Sequence, residues 1–137
     1  MTGQSQPLTA AIILYLLALQ ELDPEGRGVR CVDLAGRLSL TKPSVHAMIG
    51  TLERLELVSR ERYGTIHLTE PGRARAEQYR DCYALLLQEL CDALKLPEEE
   101  GQNAACAVLS QMQEQSLALL RAHAPAAQEK GEPDVCS

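Results

Sequence analysis

The stretch from Thr41 to Leu68 restricts the fold more than any other part of the chain. Thr41 followed by Lys42-Pro43-Ser44 reads as a helix start. A threonine oxygen can accept from an early backbone N–H, and proline is tolerated in a first turn whose N–H groups have no partner anyway. Val45, Met48, Ile49, Leu52 and Leu55 then recur at roughly 3.6-residue spacing, an apolar stripe that leaves Ser44, His46, Ala47 and Thr51 on other faces. Directly afterwards Leu57-Val58-Ser59-Arg60-Glu61-Arg62 and Thr65-Ile66-His67-Leu68 flank Tyr63-Gly64. Two alternating β-prone runs around a glycine turn predict a hairpin.

Upstream, Leu8 to Leu22 is too uniformly apolar for an exposed helix and predicts a buried one, stopped by Asp23-Pro24-Glu25-Gly26. Gly28 to Cys31 has room for a minimal strand, and Val32 to Leu38 places Leu34, Ala35 and Leu38 at helical spacing before a turn at Ser39-Leu40. Helix, short helix, turn, capped helix and Gly-tipped hairpin is the order of a winged helix-turn-helix. Downstream, Thr69 is expected to cap a long helix with Pro71 in its first turn and one face marked by Ala76, Tyr79, Tyr83, Leu86, Leu87, Leu90 and Leu94. One further helix, with Ala105, Val108, Leu109, Met112, Leu119 and Leu120 apolar, is expected to run toward His123. The expected fold is therefore mainly α, with a winged helix-turn-helix DNA-binding domain over 1–72 and an α-helical dimerisation domain over 73–123. Residues 124–137 lack periodicity and read as a flexible tail.

Charge enters where the partner of such a fold has to be judged. A formal net charge of −6 and a pI near 5.0 speak against a polyanion partner. The distribution reverses that: residues 27–80 carry ten Lys and Arg against six acids, whereas the segments on either side are acidic. The basic surplus coincides with the helix-turn-helix and wing, which points that part at double-stranded DNA. Five cysteines without CxxC spacing read as reduced thiols. The apolar run near the N-terminus has no preceding positive charge and is about half the ~20 residues a membrane span needs. A cytoplasmic protein without membrane association is expected.

In a winged helix-turn-helix the capped helix over 41–55 enters the major groove. Thr41, Lys42, Pro43, Ser44, His46 and Ala47 are then the DNA-contacting positions on it, and Arg60 and Arg62, two apart on one strand, brace the 58–68 wing against phosphates. His46 reads equally as a base or phosphate contact or as a plain surface histidine. Winged helices also serve as protein-interaction modules, so a module that no longer contacts DNA is the competing reading. There is no HExxH, no nucleophile with an adjacent base and no phosphate-binding glycine loop, so an enzyme is not expected.

Val32-Asp33-Leu34-Ala35, Leu40 to Val45, Leu52-Glu53-Arg54-Leu55-Glu56-Leu57-Val58 and Tyr63 to Gly72 together resemble the diphtheria-toxin-repressor and manganese-transport-regulator (DtxR/MntR-like) family. The similarity extends more weakly from Leu8 to about Leu120. It implies a homodimeric repressor on a palindromic operator, with a transition metal, Mn or Fe, as cofactor and the short two-domain layout. It also implies ligand positions at Thr9, Ile12, Asp81, Cys106, Leu109 and Ser110. Only Asp81 and Cys106 are residues able to ligate, which makes the implied metal site incomplete. Cys106 reads alternatively as a small buried hydrophobe, or with Cys82 as part of a thiol or redox sensor.

Overall fold

The computed structural model describes residues 8–61 and 64–123; Arg62, Tyr63 and the segment 124–137 read above as a tail lie outside them. Helix α1 (Ala10–Leu22) leads into strand β1 (Val29–Arg30), helix α2 (Cys31–Leu38), helix α3 (Lys42–Arg54) and strands β2 (Val58–Arg60) and β3 (Thr65–Leu68). Helices α4 (Glu70–Ala93), α5 (Glu98–Ser110) and α6 (Glu114–His123) follow. The described residues form two compact units, one within 14–77 and one combining residues 8–13 with residues 78–123.

The 14–77 unit is a winged helix-turn-helix. Its turn is built by two backbone devices in succession. Ser39 takes a left-handed conformation (φ 58°) and the Leu40 N–H donates to the Ala35 carbonyl at 3.0 Å, closing α2. Thr41 then caps α3, its oxygen accepting from the Ser44 N–H at 3.2 Å, an arrangement that contributes about 1 kcal/mol. Val45, Ile49 and Leu52 are fully buried, as the apolar stripe requires, while Leu55 is 43% exposed. Periodicity alone puts Leu55 on the buried stripe; it escapes because it sits at the helix C-cap, where the chain turns away through a left-handed Glu56 (φ 64°).

The three strands form an antiparallel sheet in the order β1-β3-β2. β2 and β3 are the expected hairpin, closed by Gly64 (φ 87°), whose N–H donates to the Glu61 carbonyl at 3.0 Å. The two-residue β1 adds to its far edge, Val29 facing Ile66. Thr69 joins this sheet to α4: its hydroxyl donates to the Glu56 carbonyl at 2.7 Å and accepts from the Gly72 N–H at 3.0 Å. Its own N–H donates to the Leu57 carbonyl at 3.0 Å. Gly72 is buried so close to that carbonyl that a Cβ would overlap the Leu57 oxygen, which gives the Thr69-Glu70-Pro71-Gly72 sequence a steric reason.

In the other unit the single helix expected toward His123 is two helices. α5 ends at Ser110 with Gln111 as its C-cap, and α6 begins at Glu114. No proline or glycine marks the break, and the buried leucine of α6 is Leu117 rather than Leu119, which is 66% exposed. The Cys82 thiol on α4 donates to the Leu117 carbonyl at 3.5 Å. Three consecutive acids, Glu98, Glu99 and Glu100, occupy the first turn of α5, where they complement the helix dipole. No helix among the described residues is long and apolar enough to cross a membrane.

Candidate nucleic-acid interface

Thr41, Lys42, Pro43, Ser44, His46 and Ala47 are all exposed on α3. Helical periodicity sorts them. The direction opposite Val45, Ile49 and Leu52 holds Pro43, Ala47, Gly50, Thr51 and Arg54. Gly50, Thr51 and Arg54 are not among the DNA-contacting positions expected from the sequence, although the same periodicity applied to the polar side points to them. The Arg54 guanidinium donates to the Thr51 hydroxyl at 3.2 Å, and that hydroxyl donates to the Ala47 carbonyl at 3.4 Å. The outward face of α3 is thus small, polar and carries one arginine at its C-terminal end.

Lys42, His46 and Glu53 lie on a second flank of α3, turned toward β2. Arg60 meets His46 and Glu53 there. In the strand register Arg60 faces Ile66 and Val58 faces Leu68, so the pleat puts Arg60 on the face of the sheet that buries Val58 and Ile66. Its side chain consequently folds onto α3. One guanidinium nitrogen lies 3.4 Å from both ring nitrogens of His46, and the other is 3.4 Å from Glu53 Oε1. The Arg60 side chain is 25% exposed and that of Glu53 39%. The sequence places Arg60 with Arg62 as a phosphate brace at the wing. The structure brings Arg60 to His46 and Glu53, and Arg62 lies outside the described residues. Lys42 is exposed at the first turn of the same helix.

Asp81 and Cys106 belong to the other unit and, with the remaining positions the resemblance implies, do not form a transition-metal donor set. The Thr9 oxygen accepts from the Ile12 N–H at 3.2 Å, Ile12 and Leu109 are buried, and the Ser110 hydroxyl donates to the Ala107 carbonyl at 2.7 Å. Asp81 has Arg80 at 3.8 Å. Burial pushes the Cys106 thiol up to about 12 and the Cys82 thiol up to about 11, the latter with smaller contributions from Arg121 downward and Asp81 upward. Metals bind the thiolate, which this environment disfavours. Among the described residues no three His, Cys, Asp or Glu side chains gather where they could hold a metal ion.

These raised thiols carry a pH signature. A folded-state value above the usual 9.0 means the folded protein holds those protons longer than the unfolded chain, so stability is intact below about pH 9 and declines as pH rises through 11 to 12. Denaturant midpoints are expected to fall over that window. At pH 8, Cys82 and Cys106 are expected to react with a thiol reagent only as fast as the protein opens, while half-exposed Cys31 and Cys91 react directly. Rapid labelling of Cys82 and Cys106 without opening would contradict their burial.

A basic, capped helix beside a β-hairpin, held on an apolar core by a helix-turn-helix, defines the winged helix-turn-helix class, and comparison with known proteins agrees. The IclR helix-turn-helix domain family matches residues 16–62. The diphtheria toxin repressor of Corynebacterium jeikeium (strain K411) is 31% identical over 93 residues, covering 68% of this chain and 39% of that protein. The chain therefore spans about two-fifths of the length of this curated relative. Among solved structures, a hypothetical protein from Sulfolobus solfataricus aligns with a TM-score of 0.59 at 16% identity, over 85% of this chain and 88% of that one. IdeR of T. acidophilum aligns with a TM-score of 0.59 at 21% identity, over 79% and 51%. ScaR with bound Zn2+ aligns with a TM-score of 0.57 at 20% identity, over 80% and 51%. At these identities the solved structures speak for the fold. The comparisons make the chain a winged helix-turn-helix protein, similar in sequence to the diphtheria toxin repressor over 93 residues.

Proposed function

We propose that the protein is a DNA-binding transcriptional regulator, a cytoplasmic repressor that acts as a homodimer on a palindromic operator. The observation that carries this reading is the exposed polar face of α3 beside Lys42 and Arg60, on a fold shared with a named repressor. Thr41, Lys42, Pro43, Ser44, His46 and Ala47 approach the major groove, and Arg60 and Arg62 serve the wing side. Residues 1–72 form the DNA-binding part and 73–123 the dimerisation part. Exposed Leu94, Val108 and Leu119, all in the second part, supply apolar surface for such a contact. Two-fold symmetry would place the α3 helices on half-sites about 34 Å, one helical turn, apart.

ScaR is described as a manganese-activated repressor, and the resemblance implies Mn or Fe for this chain. The donor set here favours a regulator that binds DNA without either metal. Burial of Cys82 and Cys106 as protonated thiols also works against an oxidant sensor at those positions. Selection from random double-stranded DNA, followed by titration of the enriched duplex with chelator or with Mn2+, tests both parts. The expected outcome is a palindromic site whose affinity is the same under both conditions. Failure to enrich any duplex would contradict DNA binding, and an affinity abolished by chelation would contradict metal independence.

A further inference from the structure

The contact between the wing and α3 contains an acid that works against phosphate binding. Arg60 is one of few cations on this face, yet its guanidinium is shared between His46 and Glu53, both on the flank of α3 that turns toward β2. Glu53 sets a carboxylate 3.4 Å from the Arg60 guanidinium and draws it toward the helix instead of letting it extend along the hairpin toward a backbone. One guanidinium nitrogen also lies 3.4 Å from both ring nitrogens of His46, so the imidazole packs against Arg60 beside Glu53.

Resting on the DNA-binding reading above, we propose that Glu53 is a positioning residue that sets DNA specificity. It withholds Arg60 from indiscriminate phosphate contact and keeps it beside His46 at the edge of the helix that faces base edges. Phosphate contacts give affinity without sequence information, whereas an arginine placed along a groove-facing helix reads bases. A carboxylate that restrains Arg60 therefore trades non-specific affinity for discrimination.

Glu53→Gln keeps an acceptor for Arg60 and removes the charge; Glu53→Ala removes both. Each variant is to be titrated by fluorescence anisotropy against a random-sequence duplex pool and against the duplex enriched by selection, over a range of salt. Glu56→Gln, one acid removed at the neighbouring exposed turn, controls for the general loss of negative charge. Binding of the random pool is expected to rise roughly fivefold in Glu53→Ala, the size of an exposed ion pair. Its salt slope should steepen by about 0.9 per newly engaged phosphate. The ratio of enriched to random affinity should fall, and Glu53→Gln should lie between wild type and Glu53→Ala. In an Arg60→Ala background the effect of Glu53→Ala should shrink to that of Glu56→Gln. Wild-type binding together with Glu53 variants indistinguishable from Glu56→Gln would overturn this proposal alone. Wild-type protein without salt-dependent duplex affinity would overturn the DNA-binding reading and this proposal with it.

Discussion

Gly72→Ala is expected to destabilise the protein by more than about 3 kcal/mol, at the severe end for a single methyl group. The methyl would overlap the Leu57 carbonyl oxygen, and backbone meets backbone there, so no side-chain rotation relieves the clash. That carbonyl accepts from the Thr69 N–H at 3.0 Å, Thr69 donates to Glu56 at 2.7 Å, and the Gly72 N–H donates to Thr69 at 3.0 Å. Moving any one of these groups pulls on the end of α3, the start of β2 and the first turn of α4 together. Urea unfolding followed by circular dichroism checks this through the midpoint. Gly36→Ala is the matched control: its Cβ would meet nothing within 4 Å, and a helical glycine replaced by alanine should raise stability by about 0.5 kcal/mol or more. A Gly72→Ala midpoint equal to wild type would mean that the α3–β2–α4 junction is looser than its hydrogen bonds imply.

The second large effect concerns charge. Lys42→Glu combined with Arg60→Glu is expected to lower duplex affinity by about 100-fold or more at moderate salt, and to flatten the salt slope by about 0.9 for the phosphate that Lys42 leaves without its cation. Lys42 is exposed at the first turn of α3, so its replacement removes no packing, and an acid near a helix N-terminus is favourable to the helix itself. Weakened binding in Lys42→Glu therefore cannot be assigned to unfolding of the helix. Arg60→Glu sets a second carboxylate beside Glu53, a local repulsion at a half-exposed site, and its unfolding midpoint should be recorded with the binding. Retention of wild-type affinity by the double variant would remove the helix-wing flank from the interface.

Much of the winged helix-turn-helix is legible in the residues because each local signal has one structural solution. Thr41 with Pro43 can only open a helix, Val45, Ile49 and Leu52 can only face a core, and Gly64 supplies the positive φ that the hairpin needs. The role of Arg60 is less legible. Its face depends on the phase of the pleat, and a shift of one residue moves every side chain of a strand to the other side. Glu53 and Arg60 are seven residues apart and meet only because β2 returns along α3. The break between α5 and α6 is hidden for another reason: Gln111, Met112 and Gln113 are all acceptable helix residues, and burial of Leu117 rather than Leu119 decides where α6 packs. The metal question is legible as chemistry. Side chains at Thr9, Ile12, Leu109 and Ser110 cannot act as carboxylate or imidazole ligands, and in the structure they are capping, buried or hydrogen-bonded to backbone.

On the proposed reading, an acidic chain presents a basic DNA-binding face made by α3 and the wing. The most direct test of that reading is the affinity of the purified wild-type protein for duplex DNA as a function of salt, with chelator present. Log affinity is expected to fall linearly with log salt, with a slope that Lys42→Glu makes shallower, and to be unchanged on adding Mn2+. An affinity that is absent, or insensitive to salt, would contradict the reading.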